Sequence, residues 1–511
     1  MTKFNTKGSM KGKTTNYEGA EAFELSPKAK LLNLTSTCMF GEPKFYGNKG
    51  EIETEILKLC DSISKKEPKY LLQLAAYLRN ELYMRSISTA ILVKAANNGA
   101  REHVRAYAPK IIKRADELTE AIACQLNMFG KPIPNSLKKG IADSFKNFDE
   151  YQFAKYNRDN EVKFKDVIML THPKDPSEII KKILNDDLKV PYTWEVELST
   201  KGNKPEVWEA LIDSKKLPYM ATLRNLRNIL TTGETGVSDE HLDKVIEYIK
   251  NPEAVRKSKQ FPFRFFSAYR ELSNESYSKR GFWGDDNDST DIIHPRISEV
   301  LDALEEAILI SYENIPYMKG TTVLACDVSG SMESPISRNS KLQHFDIGLL
   351  LGAATHKYTD KAYLGMFGDI WKTIGVPKTS AGIISNTLQM HKREGEVGYS
   401  TNGYKVIKWM IDENKKVDRV LIFTDCQLWD SDKRMWGGQQ ESIRKYWDQY
   451  KQINPEARLY LFNLNGYGTV NFPEQDKSVT NINGWSDKVL QFIENVEKDP
   501  NAQVKYIEEN Y

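Results

Sequence analysis

The stretch that most constrains this chain is TTVLACDVSGSM, residues 321–332. Val323, Leu324, Ala325 and Cys326 form an apolar run that ends at Asp327, with Val328 just beyond. A short apolar run bounded by turn residues reads as a strand buried on both faces of a parallel sheet. Ser329 and Ser331 follow Asp327 at alternate positions, so one carboxylate and two hydroxyls gather in a crevice at the strand's C-terminal end. Oxygen-only ligands suit a hard divalent cation, Mg²⁺ above all. Asp, Ser and Gly are also common in turns and helix caps, so the triplet alone leaves both readings open.

Two later stretches favour the cation. Residues 419–425, RVLIFTD, are a second apolar run ending in Thr-Asp, and residues 398–403, GYSTNG, form a polar loop that opens a helical pattern. Asp327, Ser329, Ser331, Thr401 and Asp425 then make a five-oxygen set drawn from three loops. On these five positions the segment resembles a von Willebrand factor A domain with its metal-ion-dependent adhesion site. Strand candidates near 321–326, 361–367, 371–376, 419–424 and 457–464 alternate with helical stretches near 342–357, 402–414, 439–451 and 486–497. That alternation predicts a doubly wound, mostly parallel, Rossmann-like sheet with ligands at the C-terminal ends of its strands.

With 511 residues the chain exceeds one compact core. From residue 51 to about residue 312 the pattern is helical, as in Leu71, Leu72, Leu74, Ala75, Leu78 and Leu82, or Ile297, Val300, Leu301, Leu304, Ala307 and Ile308. Breaks are expected at Gly99, Pro109, 130–134, 173–176, Pro205, Pro218 and 233–236. Many helices with short breaks suggest a solenoid of helical pairs, although no fixed repeat period is visible. Residues 275–291 read as a polar surface loop. The expected domains are a flexible N-terminal arm over 1–30, a helical-repeat domain over 31–318 and the A domain over 319–511.

The five cysteines, Cys38, Cys60, Cys124, Cys326 and Cys426, lack the spacing of a disulfide framework or a zinc site, which favours a reducing compartment. No apolar leader opens the sequence and no run reaches the length of a membrane span, so a cytoplasmic protein is expected. Charge is uneven. Residues 1–150 carry 24 Lys and Arg against 17 Asp and Glu, whereas residues 321–511 carry 23 against 24. The basic excess permits a polyanionic partner, and on charge alone a solvated surface explains it equally well.

Catalytic signatures are missing. None of the seven histidines sits in a recognisable nucleophile motif, and no phosphate-cradling glycine loop opens a helix. The metal loop could activate water but brings no general base. A binder is therefore expected, not an enzyme.

Residues 134–173 interleave Lys138, Lys139, Lys146, Lys155, Arg158, Lys163 and Lys165 with Phe145, Phe148, Tyr151, Phe153 and Tyr156. Basic groups can neutralise phosphates and exposed aromatics can stack on unpaired bases. At helical spacing, Phe145, Phe148 and Phe153 are better read as core. This stretch resembles the TROVE domain of the Ro autoantigen family, as do RSISTAILVKAA at 85–96, ATLRNLRNI at 221–229 and FPFRFFSAYREL at 261–272. A helical part followed directly by an A domain is that family's order, and this version looks like its bacterial branch.

The resemblance implies a ring-shaped, HEAT-like α-helical solenoid, closed within one chain and so monomeric. Its basic hole would take single-stranded ends of misfolded RNA, and its outer surface a Y-like noncoding RNA. Lys155 and His172 match positions implicated in Y RNA binding, with Lys138, Lys139 and Arg158 as further basic positions. Asp159 stands where the family pattern has another basic residue, so the contact pattern departs there. Unaided, His172 before Pro173 would read as a helix-terminal residue. Arg79, Arg85, Arg224 and Arg227 sit on short helices where they could face the hole, pair with Glu or cap a helix. The implied partners are a Y-like RNA, an exoribonuclease such as polynucleotide phosphorylase, and a protein ligand at the metal, with a role in RNA quality control. Two rivals remain: a metal-dependent protein-adhesion scaffold and a metal-dependent RNA hydrolase.

Overall fold

A computed structural model describes residues 13–15, 21–37, 51–157, 160–174, 178–233, 236–273, 295–313, 317–336, 340–378, 382–428, 441–465, 469–472, 476, 478–483 and 502–511. The expected surface loop over 275–291, the helical stretch over 486–497 and Arg158 lie outside these residues, as does most of the N-terminal arm. Strands β1 (Lys13–Thr15) and β2 (Glu21–Glu24) pair antiparallel, and the first helix, Pro27–Thr37, begins within the span expected to be flexible.

By packing, the chain falls into two compact bodies. One comprises residues 1–187, 317–375 and 392–511; the other comprises 188–316 and 376–391. The first body therefore draws on both sides of the border expected near residue 318.

Its helical part runs from Pro27–Thr37 to Glu178–Asn185 as a succession of short helices. Helix Pro68–Asn80 is central: Pro68 opens it, and its side chains from Tyr70 to Arg79 are buried. Pro109 does not break the chain as expected. Helix Arg101–Ile111 runs through it at the cost of one backbone hydrogen bond to the preceding turn, and ends two residues later. Helix Ala502–Asn510 packs on Pro68–Asn80. Gln73 Nε2 donates to the Glu508 carbonyl at 2.7 Å, Tyr511 Oη to Glu81 at 2.6 Å, and Tyr107 Oη to the Tyr511 carbonyl at 2.5 Å. The rings of Tyr506 and Tyr511 stand edge-on to Tyr77.

The sheet in the same body has six strands. In chain order they are β3 (Met318–Asp327), β4 (Thr359–Phe367), β5 (Trp371–Thr373), β6 (Arg419–Thr424), β7 (Arg458–Asn463) and β9 (Val479–Asn483). Across the sheet the order is β5-β4-β3-β6-β7-β9, parallel except for the β4–β5 pair. A short strand β8 (Thr469–Val470) pairs with β2 instead. Val323 and Ala325 share a core with helices Tyr404–Asp412 and Ile443–Ile453, while helix His344–Lys357 packs against β3, β4 and β6. The helical region followed by a mostly parallel, helix-flanked sheet is the expected fold class. Strand β9, whose sequence VTNIN is largely polar, gives no apolar signal, and neither it nor helix Ile383–His391 is predicted.

The second body holds helices from Trp194–Lys201 to Ile297–Ser311, together with Ile383–His391. Glu305 caps that last helix, accepting from Ile384 N at 2.9 Å, Ser385 N at 3.0 Å and Ser385 Oγ at 3.0 Å.

Candidate functional site: a metal crevice and a basic helical face

The chain leaves β3 for β4 on one side and returns to β6 on the other, so the crevice between β3 and β6 is the topological switch point. Asp327 and Asp425 sit there, both fully buried. Asp327 holds its loop: Oδ1 accepts Ser329 N at 2.9 Å and Oδ2 accepts Thr424 Oγ1 at 2.6 Å. Ser329 and Ser331 turn their hydroxyls toward each other, 3.3 Å apart. Asp425 Oδ1 accepts Gln427 N at 3.0 Å.

The loop with Thr401 is tied to both neighbours. Gly330 N donates to the Tyr399 carbonyl at 2.9 Å, and Gly403 lies against Leu428. Behind it the β4 end grips the same loop: Asn402 N donates to the Gly368 carbonyl at 3.1 Å and Ser400 N to Asp369 Oδ1 at 3.0 Å. Gly368 is required, since a Cβ there would meet the Gly398 carbonyl at 1.9 Å. Gly398 itself adopts a φ of +72°.

All five expected oxygen donors thus belong to three interlocked loops. The Thr401 hydroxyl is buried without a hydrogen-bond partner, a cost that a coordinated cation would remove. Burial and the neighbouring Asp425 charge push the Asp327 carboxyl well above the ordinary carboxylate range. Among the described residues no cluster of three His, Cys, Asp or Glu side chains could hold a metal ion, so this hydroxyl-rich set stands apart from a zinc-type centre. Two carboxylates and three hydroxyls fit Mg²⁺. Thr424 escaped sequence reasoning as a second support of Asp327, although its place beside Asp425 in the Thr-Asp pair was the available signal.

The basic candidates divide. Helices Asn135–Ser144, Glu150–Tyr156 and Phe164–Thr171 share one aromatic core: Phe153 stacks on Phe145 at 5.6 Å and meets Phe148 and Phe164 edge-on at 5.9 and 5.2 Å. The phenylalanines are core, as their spacing suggests. Lys138, Lys139 and Lys155 ride on this core, and no carboxylate pairs with any of them among the described residues. Arg114, which the sequence did not single out, lies 4.4 Å from the Tyr156 ring, with Lys155 5.9 Å from the same ring. His172 is exposed and closes its helix in the left-handed conformation, φ +48°.

Arg79 and Arg85 are engaged otherwise. Arg79 is buried against Glu117 at 2.9 Å, and Arg85 reaches Asp116 at 2.8 Å and Glu117 at 3.2 Å. Glu117 also accepts the backbone N–H groups of Lys113 and Arg114. In the second body Arg224 and Arg227 are exposed, with Arg227 3.4 Å from Glu271.

Comparison with known proteins gives two matching domain models. Residues 18–188 and 185–282 match the TROVE domain, and residues 321–496 match the Ro60 vWA domain. The TROVE matches alone take in more than half of the 511 residues. The chain belongs to the Ro family. Among curated Ro-related sequences, telomerase protein component 1 of Rattus norvegicus is 26% identical over 334 residues, 48% of this chain and 13% of that protein. RNA-binding protein RO60 of Caenorhabditis elegans is 23% identical over 295 residues, 58% of this chain and 42% of that protein. The chain therefore matches well under two thirds of either relative's length. In fold it is similar to the crystal structure of the Deinococcus radiodurans RO (RSR) protein: TM-score 0.61, 18% identity, covering 92% of this chain and 100% of that one.

Proposed function

We propose that this Ro-family chain binds noncoding RNA and carries Mg²⁺ in its A-domain crevice. The observation that supports this reading most is the uncommitted charge of Lys138, Lys139 and Lys155. Nearby cations such as Arg79, Arg85, Arg105 and Lys182 are paired with carboxylates, and among the described residues these three are not. Curated relatives named as RNA-binding proteins support it as well. Lys138, Lys139, Lys155 and His172 would meet the phosphates of a structured, Y-like RNA on the outer surface. A single-stranded end of a misfolded RNA would enter the ring that the family resemblance implies, for RNA quality control with an exoribonuclease such as polynucleotide phosphorylase. The protein would act in the cytoplasm as a monomer and as a binder.

The test is duplex-RNA binding by the full chain and by the pair Lys155→Ala and His172→Ala. Weakened binding is expected, and undiminished binding overturns the outer-surface assignment. Steady cleavage of a labelled strand in Mg²⁺, lost on Asp327→Ala, would instead establish the hydrolase. A protein ligand at the metal is a second reading, favoured by Ile370 and Tyr399. These apolar side chains, 48% and 49% exposed, stand on the loops that frame the crevice.

A further inference from the structure

In the second body a serine, a histidine and an aspartate line up in a relay. Helices Pro205–Asp213 and Asp239–Ile249 pack together there. Ser238 is the N-cap of the latter, a position where a serine hydroxyl ordinarily accepts an N–H of the first turn. Here it makes no such bond. Its Oγ lies 2.7 Å from Nδ1 of His241, and Nε2 of the same ring lies 3.1 Å from Oδ2 of Asp213, on the other helix. The helix end takes its support from elsewhere, as Ser238 N donates to Glu209 Oε1 at 2.8 Å.

The chemistry of the three groups fixes the direction of the relay. Lys244 Nζ is 2.8 Å from Asp213 Oδ1 and, together with the His241 bond, holds that carboxyl below the ordinary carboxylate range. An ionised carboxylate only accepts, so Nε2 carries the ring proton and donates to Asp213. Nδ1 is then a bare lone pair, and the Ser238 hydroxyl donates to it. A histidine so placed draws the proton from a serine, here with its two ring nitrogens exchanged relative to the serine proteases. Ser238 is exposed, whereas the His241 side chain is 14% exposed and engaged at both nitrogens. The first-turn N–H groups have no partner within the helix and lie at the same end as Oγ, where an oxyanion would form. The other charged groups nearby are Glu209, 3.6 Å from Nδ1, and Glu240, which pairs with Lys244.

We propose that Ser238 is a modification site, a nucleophile that His241 activates to take an acyl group from a neutral activated ester or thioester. Oγ bonds to the acyl carbon, and the bond from that carbon to the leaving oxygen or sulfur breaks. The Oγ proton passes to His241 Nδ1 and from there to the leaving group. Asp213 is a positioning residue that holds the ring and its tautomer. Glu209, Asp213 and Glu240 place negative charge around the hydroxyl, which selects against anionic donors. The site is independent of RNA binding.

The test treats the full chain with p-nitrophenyl acetate and follows acetyl transfer to each serine by mass spectrometry of its peptides. Ser238 should react about a hundredfold faster than the exposed Ser199 and Ser214, the usual worth of a positioned general base. Its rate should level off with rising pH once the His241 ring is neutral, while the reference serines keep climbing with hydroxide. His241→Gln should bring Ser238 down to the reference rate. Asp213→Asn should slow it and move its pH profile to lower pH, since a carboxylate no longer favours the protonated ring. Acetyl phosphate, an anionic donor, should react more slowly at Ser238 than the ester does. Equal rates at Ser238 and the reference serines overturn the proposal, as does a Ser238 rate unmoved by His241→Gln. If His241→Gln lowers the melting temperature, the unaltered chain decides: a Ser238 rate that climbs with pH in parallel with the reference serines overturns the relay, and a plateau upholds it.

Discussion

At Asp327 two demands meet in one side chain. It ties the metal loop through Ser329 and Thr424, yet it is buried beside a second carboxylate. Its raised proton affinity means that the metal-free folded state binds more protons than the unfolded chain above the ordinary carboxylate range. Stability contributed by the neutral form is therefore lost as pH rises. Metal-free protein should melt at lower temperature as pH goes from mildly acidic to mildly alkaline, and Mg²⁺ should restore the difference. Asp327→Asn should abolish both responses in a thermal melt. Glu117 makes the opposite case, a carboxylate whose partners are all present. Glu117→Gln leaves two guanidinium groups short of charge, and loss of one partner of a buried pair costs about 3–5 kcal/mol; urea unfolding reads it directly. The five candidate oxygen donors could be picked out in the sequence because each follows an apolar run or opens a helix. The sequence left the role of Arg79 open because Glu117 stands 38 positions away, and nothing local distinguishes a paired arginine from a free one.

At the scale of elements, the strands that carry the site were legible from their apolar runs, and their supports were not. The Gly368–Gly398 contact joins two loops that sequence periodicity treats as unrelated. Gly368→Ala should displace the loop bearing Thr401 and remove the Mg²⁺-dependent rise in melting temperature while the metal-free protein stays folded. Helix Ile383–His391 hides behind a weak start signal because its cap comes from Glu305, far upstream, and not from a local Ser or Asp. Glu305→Ala should cost about 1–2 kcal/mol, the usual worth of a helix cap. Hydrogen exchange should show the loss in that helix before any other.

For the whole molecule, the basic excess of the first 150 residues resolves into cations such as Arg79, Arg85 and Arg105 that pair with carboxylates and others that, among the described residues, pair with none. Composition registers the sum and cannot apportion it. If the unpaired lysines meet a structured RNA, each phosphate contact on a duplex contributes about 0.9 to the slope of log affinity against log salt. Replacing Lys138, Lys139 and Lys155 by Ala together should lower that slope by about 3 if all three touch phosphate. An unaltered slope would remove them from the interface. The two-body partition was not legible in the sequence at all, since helix periodicity reports which face of a helix is covered and not by what.

The docking of helix Ala502–Asn510 on Pro68–Asn80 has a consequence for how the protein is made. The ribosome delivers the cover for Tyr77 more than 400 positions after Tyr77 itself, a wait of roughly 20–90 s at ordinary elongation rates. Until then that face of helix Pro68–Asn80 stays uncovered in the nascent chain, a standing invitation to chaperones. Messages truncated before codon 502 should yield a product that proteases attack first at its earliest helices.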